Sequence, residues 1–354
     1  MIERIKEKNV WDYLKETELP IVLYGMGNGT DMVIEQLEKI GVSAAEVFAS
    51  DEFVRGHSFR GYKVIKYSDV CEKYDDFVIV VCFAVHDEAM LTKIKTLSEK
   101  HTLFAPNVPI VNDGVFTREF IEEHDEDFER AYSLLVDDFS RQSFIDVLNF
   151  KVSGKVEHLF KCEKQKEEIY SEYLQLGKDE IFMDLGAYDG DTVREFLQAT
   201  DCEYEKIIAV EADEKNYKKL TDKTAEVKNI TTHNLAVWDK KETLFFEKKK
   251  GRNSKLSSSG KVEVQADSVD NILGGEKITV LKMDIEGSEE KALDGARHTI
   301  ARYRPKLYVC AYHRNSDMYR LPLKINELCA DYKIYFCHHP YIPAWESNFY
   351  CIAK

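Results

Sequence analysis

The sequence predicts an α/β protein of two units, each built on a mainly parallel sheet and joined by a helical connector. Short apolar runs alternate with helix-period segments over residues 18–110 and again from 180 to the end. That alternation implies βαβ units. The stretch between is poor in Gly and Pro and carries charge at helical spacing. The last two apolar runs, 332–337 and 348–353, are separated by the turn His338-His339-Pro340-Tyr341-Ile342-Pro343. Too little chain lies there for a crossover helix, so the final strand is expected to be antiparallel. The expected boundaries are 1–111 for the first unit, 112–176 for the connector and 177–354 for the second unit.

In the first unit, Pro20–Tyr24, Ala45–Ala49 and Phe77–Phe83 read as strands. Met32, Val33, Leu37 and Ile40 mark a helix that Gly41 stops. The connector holds the acidic run Glu122–Asp127, a solvated helix face, and apolar residues (Phe139, Phe144, Ile145, Leu148, Phe150) that need a surface to bury against. In the second unit, strands are expected at 181–185, 206–210, 230–237, 278–283, 307–312, 332–337 and 348–353. Helices are expected at 191–199, 214–223, 288–303 and 317–330.

Composition narrows the function. The 354 residues are 44% hydrophobic and 32% charged, as in an ordinary soluble globular chain. Acids outnumber bases 64 to 49, for a formal charge of −15. General affinity for nucleic acid or an anionic membrane needs a basic face, so neither partner is expected. No apolar run reaches the roughly 18 residues of a membrane span, and the mean hydropathy is −0.40. The start, Met1-Ile2-Glu3-Arg4-Ile5-Lys6, lacks the apolar core of a signal peptide. Eight cysteines are scattered without a Cys-x-x-Cys pair. Reduced thiols in a cytoplasmic protein are the expectation.

The richest stretch is Ile181-Phe182-Met183-Asp184-Leu185-Gly186-Ala187-Tyr188-Asp189-Gly190-Asp191-Thr192, a strand, a glycine turn and a helix start. Glycines admit close backbone approach to a ligand, and a helix N-terminus offers free N–H groups to a carboxylate. A second strand, Lys206–Val210, ends on Glu211, 21 positions beyond Gly190 (211 minus 190). Doubly wound folds hold ribose hydroxyls with such an acid. The wider glycine spacing suits an amino-acid carboxylate better than a pyrophosphate, and the whole points to adenosyl-methionine.

Thr279–Glu289 places Asp284 and Glu286 at the C-terminal edge of the fourth strand, where open α/β sheets bind ligands. Gly287 allows a tight exit, and Ser288 is expected to cap the helix beginning at Glu289. His313 follows the fifth strand on the same edge, and Asp317 is expected to cap the next helix. A neutral histidine, with a pKa of about 6.5, is suited to accept a hydroxyl proton. Asp284, His313 and Glu286 are therefore the candidate catalytic residues.

From about residue 113 to the end, the sequence resembles the FkbM-type methyltransferases. The resemblance rests on Ser140-Arg141-Gln142, Met183–Thr192, Glu211-Ala212-Asp213 and Asn234-Leu235-Ala236-Val237. It continues through Ser268-Val269-Asp270, Leu281–Glu289, and Tyr312-His313 with Asp317. Val269 stands where the family usually has leucine. The resemblance implies a class I methyltransferase fold and adenosyl-methionine-dependent O-methylation, commonly of sugars, glycans or polyketide hydroxyls. The implied cofactor contacts are Asp184, Gly186, Ala187, Tyr188, Asp189, Gly190, Thr192, Glu211, Ala212, Asn234, Ala236 and Asp284.

The N-terminal run Tyr24-Gly25-Met26-Gly27-Asn28-Gly29-Thr30 is a degenerate Gly-x-Gly-x-x-Gly, with Thr30 at the third glycine. It resembles Rossmann-like nucleotide-binding domains, with Gly25, Gly27, Asn28 and Asp51 as a second nucleotide site. A scaffold that binds nothing reads equally well. The basic run Lys248–Lys255, followed by Ser257-Ser258-Ser259-Gly260, reads as a solvated hairpin or loop, or a lid over an anionic acceptor. The expected partner is a sugar or glycan acceptor, and self-association is allowed. No residue is assigned to a metal. The rival readings are a Mg²⁺-assisted O-methyltransferase using Asp284 and donors near His313, an NAD-dependent oxidoreductase centred on Gly25 and Gly27, and a non-catalytic scaffold.

Overall fold

The computed structural model describes every residue except 55, 57, 109, 110, 112, 248–254, 258–261 and 354. The chain forms two compact units. The first comprises Met1–Glu126, Gln142–Glu163 and His338–Glu346, and the second Asp127–Arg141, Lys164–Cys337 and Ser347–Lys354. The helical stretch between the two sheets is thus shared between the units. Its apolar side chains Phe144, Val147, Leu148 and Phe150 are fully buried.

The first unit holds strands β1 (Ile21–Tyr24), β2 (Glu46–Ala49), β3 (Ser58–Phe59), β4 (Tyr62–Lys66), β5 (Val78–Val81) and β6 (Thr102–Phe104), in the order β3-β4-β2-β1-β5-β6. All neighbours pair in parallel except the hairpin β3–β4. β1 and β5 are buried along their whole length, which is why they read as continuous apolar runs. The helix Asn28–Lys39 starts directly after the glycine turn, earlier than the apolar spacing alone suggested. A Cβ at Gly29 would lie 3.0 Å from the carbonyl carbon of Cys82 and closer still to its oxygen. Gly29 therefore provides the close helix–strand approach that the sequence reading sought at Thr30. His338–Glu346 contributes a bridge in which Val85 and Ile342 exchange backbone hydrogen bonds of 2.7 and 2.9 Å.

The second unit holds β7 (Ile181–Leu185), β8 (Lys206–Val210), β9 (Ile230–His233), β10 (Ala236–Val237), β11 (Glu242–Glu247), β12 (Lys255–Ser257), β13 (Val262–Asp267), β14 (Val280–Met283), β15 (Lys306–Cys310), β16 (Tyr332–His338) and β17 (Ser347–Ala353). Its main sheet has the order β16-β17-β15-β14-β7-β8-β9. The pairs from β15 through β9 are parallel, and β17 runs antiparallel to β15, as the short final connection predicted.

Three expectations need correction. The strand expected at 230–237 is two strands in different sheets, because Asn234 turns the chain and donates its amide to the carbonyls of Glu211 (2.9 Å) and Ala212 (3.3 Å). The helix expected at 288–303 is two, Glu289–Gly295 and Arg297–Tyr303. They meet where Gly295 packs against the backbone of Trp238, leaving no room for a Cβ. A second, four-stranded sheet, β10-β13-β11-β12, spans a stretch where no strand was expected beyond 237 and only the basic run was read as a hairpin or loop. The basic run at 248–254 and the serines and glycine at 258–260 lie outside the described residues.

Candidate active site

β7 ends at Leu185, and Gly186 turns with φ +79°, a left-handed conformation that disfavours any side chain. The amides of Gly186 and Ala187 both donate to Val210 O, at 2.9 and 3.0 Å, so the turn is tied to the end of β8. A Cβ at Gly186 would lie 2.8 Å from the carbonyl carbon of Asp284 and closer to its oxygen. The turn thus packs backbone to backbone on the exit of β14. Gly190, at φ +83°, starts the helix Asp191–Ala199, and no side chain caps it. The Asp191 carboxylate instead takes the Thr192 amide at 2.9 Å.

Glu211 is nearly buried at the end of β8. Its carboxylate accepts the amides of Tyr188 (2.9 Å) and Asp213 (2.8 Å), bridging the turn to its own strand exit. Loss of hydration raises its pKa to about 7, against the pull of those two N–H groups. Asn234, holding the Glu211 and Ala212 carbonyls, completes this end. Tyr188 is a left-handed residue with its ring exposed, below Lys219 at 5.4 Å. Asp189 faces Lys223 and Arg194, and burial raises its pKa less than those cations lower it. Ala187 is fully buried. Ala236 pairs with Ala266 in the four-stranded sheet.

Asp184 is fully enclosed. It stands in register with Lys282 of β14, whose Nζ is 3.1 Å from its Oδ1. Burial pushes the Asp184 carboxyl up to about 6 although Lys282 opposes it. The Lys282 ammonium is raised, because Asp184 and Asp284 overcome the same burial. Sequence reasoning missed Lys282, although a lysine inside Val280-Leu281-Lys282-Met283 is a visible signal of a buried partner.

At the exits of β14 and β15, charged side chains converge on His313. The imidazole is 2% exposed. Its Nδ1 is 3.0 Å from Glu289 Oε1, and its Nε2 is 3.4 Å from Asp284 Oδ1 and 3.8 Å from Glu286 Oε2. Asp284 and Glu286 retain 31% and 50% side-chain exposure, so they stand on the open side of the cluster. Tyr312 donates its hydroxyl to Asp284 Oδ1 at 2.9 Å, and Arg314 Nε donates to Gly287 O at 2.7 Å, joining the two strand exits.

Burial disfavours the His313 charge, but the Glu289, Glu286 and Asp284 carboxylates prevail and raise its pKa to about 10. The neutral imidazole expected from the sequence is therefore replaced by an imidazolium near neutrality. Lost hydration raises Glu286 to about 7 while the His313 charge pulls the other way. Asp284 is lowered, since Lys282, His313 and the Tyr312 hydroxyl outweigh desolvation.

Two capping expectations also change. Ser288 makes no side-chain cap. Glu289, which sequence reasoning left as a helix residue, accepts the amides of Ile285 (2.9 Å) and Gly287 (3.4 Å) and closes the turn. Asp317 accepts the Arg314 amide at 2.7 Å, so it secures the turn before its helix. On the first unit, Gly25, Gly27, Asn28 and Asp51 follow the paired strands β1 and β2, which brings them to one sheet edge.

Residues 184–333 match the family described as the methyltransferase FkbM domain. The fold is similar over 99% of the chain to methyltransferase FkbM from Methylobacillus flagellatus KT, with 92% of that chain covered, 21% identity and a TM-score of 0.73. Weaker likenesses are to a fibrillarin/Nop5p complex (19% identity, 54% of this chain and 81% of that one, TM-score 0.35) and to precorrin-6y C5,15-methyltransferase from Geobacter metallireducens GS-15 (10% identity, 52% and 85%, TM-score 0.34). No curated protein matches the chain. The likeness of this chain to the FkbM methyltransferases rests on its domain at 184–333.

Proposed function

We propose that the chain transfers a methyl group from adenosyl-methionine to a hydroxyl of a sugar, glycan precursor or related metabolite, in the cytoplasm. The observation that carries this reading is the close packing of the Gly186 turn on the Asp284 backbone, at the strand exit that carries the Asp284 and Glu286 carboxylates. The left-handed Gly186 and Gly190, the uncapped helix start and Glu211 suit the carboxylate and ribose of the methyl donor. That donor supplies an activated methyl on sulfur, and the protein's share is to align the acceptor and receive its proton. Asp284 and Glu286, on the open side of the cluster, are the groups that meet an acceptor hydroxyl. His313, enclosed behind them, holds both carboxylates in place.

Gly25, Gly27, Asn28 and Asp51 are kept as a nucleotide or nucleotide-sugar site of the first unit, on their shared sheet edge. The experiment is to incubate the full chain with isotopically labelled methyl donor and a panel of sugar nucleotides and glycans. An O-methylated sugar is expected. Glu286→Gln should slow its formation by roughly a hundred-fold, the usual scale for losing a proton acceptor. Label found only on nitrogen or carbon would overturn the hydroxyl assignment.

A further inference from the structure

Asp284, Glu289 and His313 each bring one potential ligand atom, and these atoms lie within 4.8 Å of one another. Carboxylates that satisfy only each other are common, so the donor set needs a reason beyond proximity. Two details provide it. Glu289 is 1% exposed, and its Oε2 is enclosed without a hydrogen-bond partner among the described residues, although Oε1 accepts the Ile285 and Gly287 amides. His313 Nδ1, also enclosed, sits 3.0 Å from Glu289 Oε1 but out of line for a hydrogen bond. A buried carboxylate oxygen and a buried ring nitrogen of adjoining side chains are therefore both left without aligned partners among the described residues. Burying such atoms unsatisfied costs about 1–3 kcal/mol each.

Three carboxylates flank one imidazole: Asp284 and Glu286 face Nε2 at 3.4 and 3.8 Å, and Glu289 faces Nδ1 at 3.0 Å. That is more negative charge than a single ring neutralises. Donor atoms around a first-row divalent cation lie about 3–4 Å apart, given bonds of roughly 2.0–2.2 Å. One ring nitrogen serves a given cation: Nε2 and Asp284 Oδ1, 3.4 Å apart, already have that spacing, and a Glu289 oxygen within 4.8 Å would have to close up on them. One imidazole with two carboxylates is a mixed nitrogen and oxygen set, suited to Mn²⁺ or Zn²⁺ and less so to a cation that demands oxygen alone.

We propose that Asp284, Glu289 and His313 form a divalent-cation site, with Glu286 at its rim; the cation replaces a ring proton of His313, which is released on binding. A cation there would sit beside the Gly186 turn and polarise an acceptor hydroxyl, lowering the cost of its ionisation. That role rests on the methyl-transfer reading, whereas the binding itself does not.

The test is titration of the full chain, stripped with chelator, with Mn²⁺ followed by electron paramagnetic resonance. Loss of the free-ion signal at one Mn²⁺ per chain is expected. Asp284→Asn and Glu289→Gln should each weaken binding about ten- to a hundred-fold, while Asp331→Asn, an exposed acid elsewhere, leaves it unchanged. Circular dichroism, measured on the same samples, reports whether each variant is folded, and adenosyl-homocysteine binding is measured on the wild-type chain. Should Glu289→Gln fail to fold, the wild-type titration and Asp284→Asn still decide. A wild-type chain that leaves the Mn²⁺ signal free overturns the proposal, as does undiminished binding in folded Asp284→Asn. Mn²⁺ binding without adenosyl-homocysteine binding would keep the metal site and remove the methyl-transfer reading; the reverse pattern would do the opposite.

Discussion

Replacing Gly186 by alanine is the most informative small perturbation of this molecule. Two separate penalties apply. Holding an L-residue at φ +79° costs about 1–2 kcal/mol. The new Cβ would also come within 3.0 Å of two backbone atoms of Asp284, with Ile285 Cγ2 at 3.3 Å. Neither backbone atom is the end of a flexible side chain, so the turn must withdraw from β14 by an amount on the order of 1 Å. Misplacement of that size costs about a hundred-fold in a positioned site.

Gly190→Ala is the control. It has a similar φ of +83°, but its Cβ would meet only the side-chain atoms Thr224 Cγ2 at 3.1 Å and Leu220 Cδ1 at 3.3 Å, which can shift. Both variants should therefore melt earlier by scanning fluorimetry. Gly186→Ala should slow methyl transfer by roughly a hundred-fold more than Gly190→Ala, and in calorimetry it should lose more adenosyl-homocysteine affinity. Equal affinities in the two variants would refute the argument that the Gly186 turn is set by the Asp284 backbone.

Lys282→Met should destabilise the second unit by about 3–5 kcal/mol, because it leaves the enclosed Asp184 without its partner. Adding Asp184→Leu should recover most of that loss, and urea unfolding of the single and double variants checks both. In the first unit, burial opposes the His158 charge, but Asp146 and Glu7 hold its pKa above the ordinary value. Its stabilisation is then full below about pH 6.5 and disappears as pH rises through the raised pKa. His158→Gln should lower the melting temperature more at about pH 6 than at about pH 9; a pH-independent difference would contradict this.

Much of the fold was legible because it rests on local signals. β7 and β8 are buried throughout and read as apolar runs. The glycine turn showed because only glycine tolerates its geometry, and the reversed β17 followed from the length of the preceding connection. The illegible parts depend on partners distant in sequence. Asn234 splits a strand by reaching back to Glu211 and Ala212. Glu289 reaches His313, 24 residues on (313 minus 289), and this contact makes the histidine a cation. Spacing alone placed His313 on the correct edge, but protonation is set by the charges folded around it. Serine's general preference for helix starts likewise favoured Ser288, whereas the turn at Gly287 gives that task to Glu289.

We propose that the turn from Gly186 to Gly190 and the Glu211 carboxylate form a site for adenosyl-methionine. Calorimetric titration of the full chain with adenosyl-homocysteine, run beside nicotinamide adenine dinucleotide, tests it most directly. One adenosyl-homocysteine bound per chain is expected. Glu211→Ala should weaken that binding about ten- to a hundred-fold, the scale of a lost charge-assisted hydrogen-bond pair. Absence of adenosyl-homocysteine binding to the wild-type chain, or unchanged affinity in folded Glu211→Ala, would contradict it.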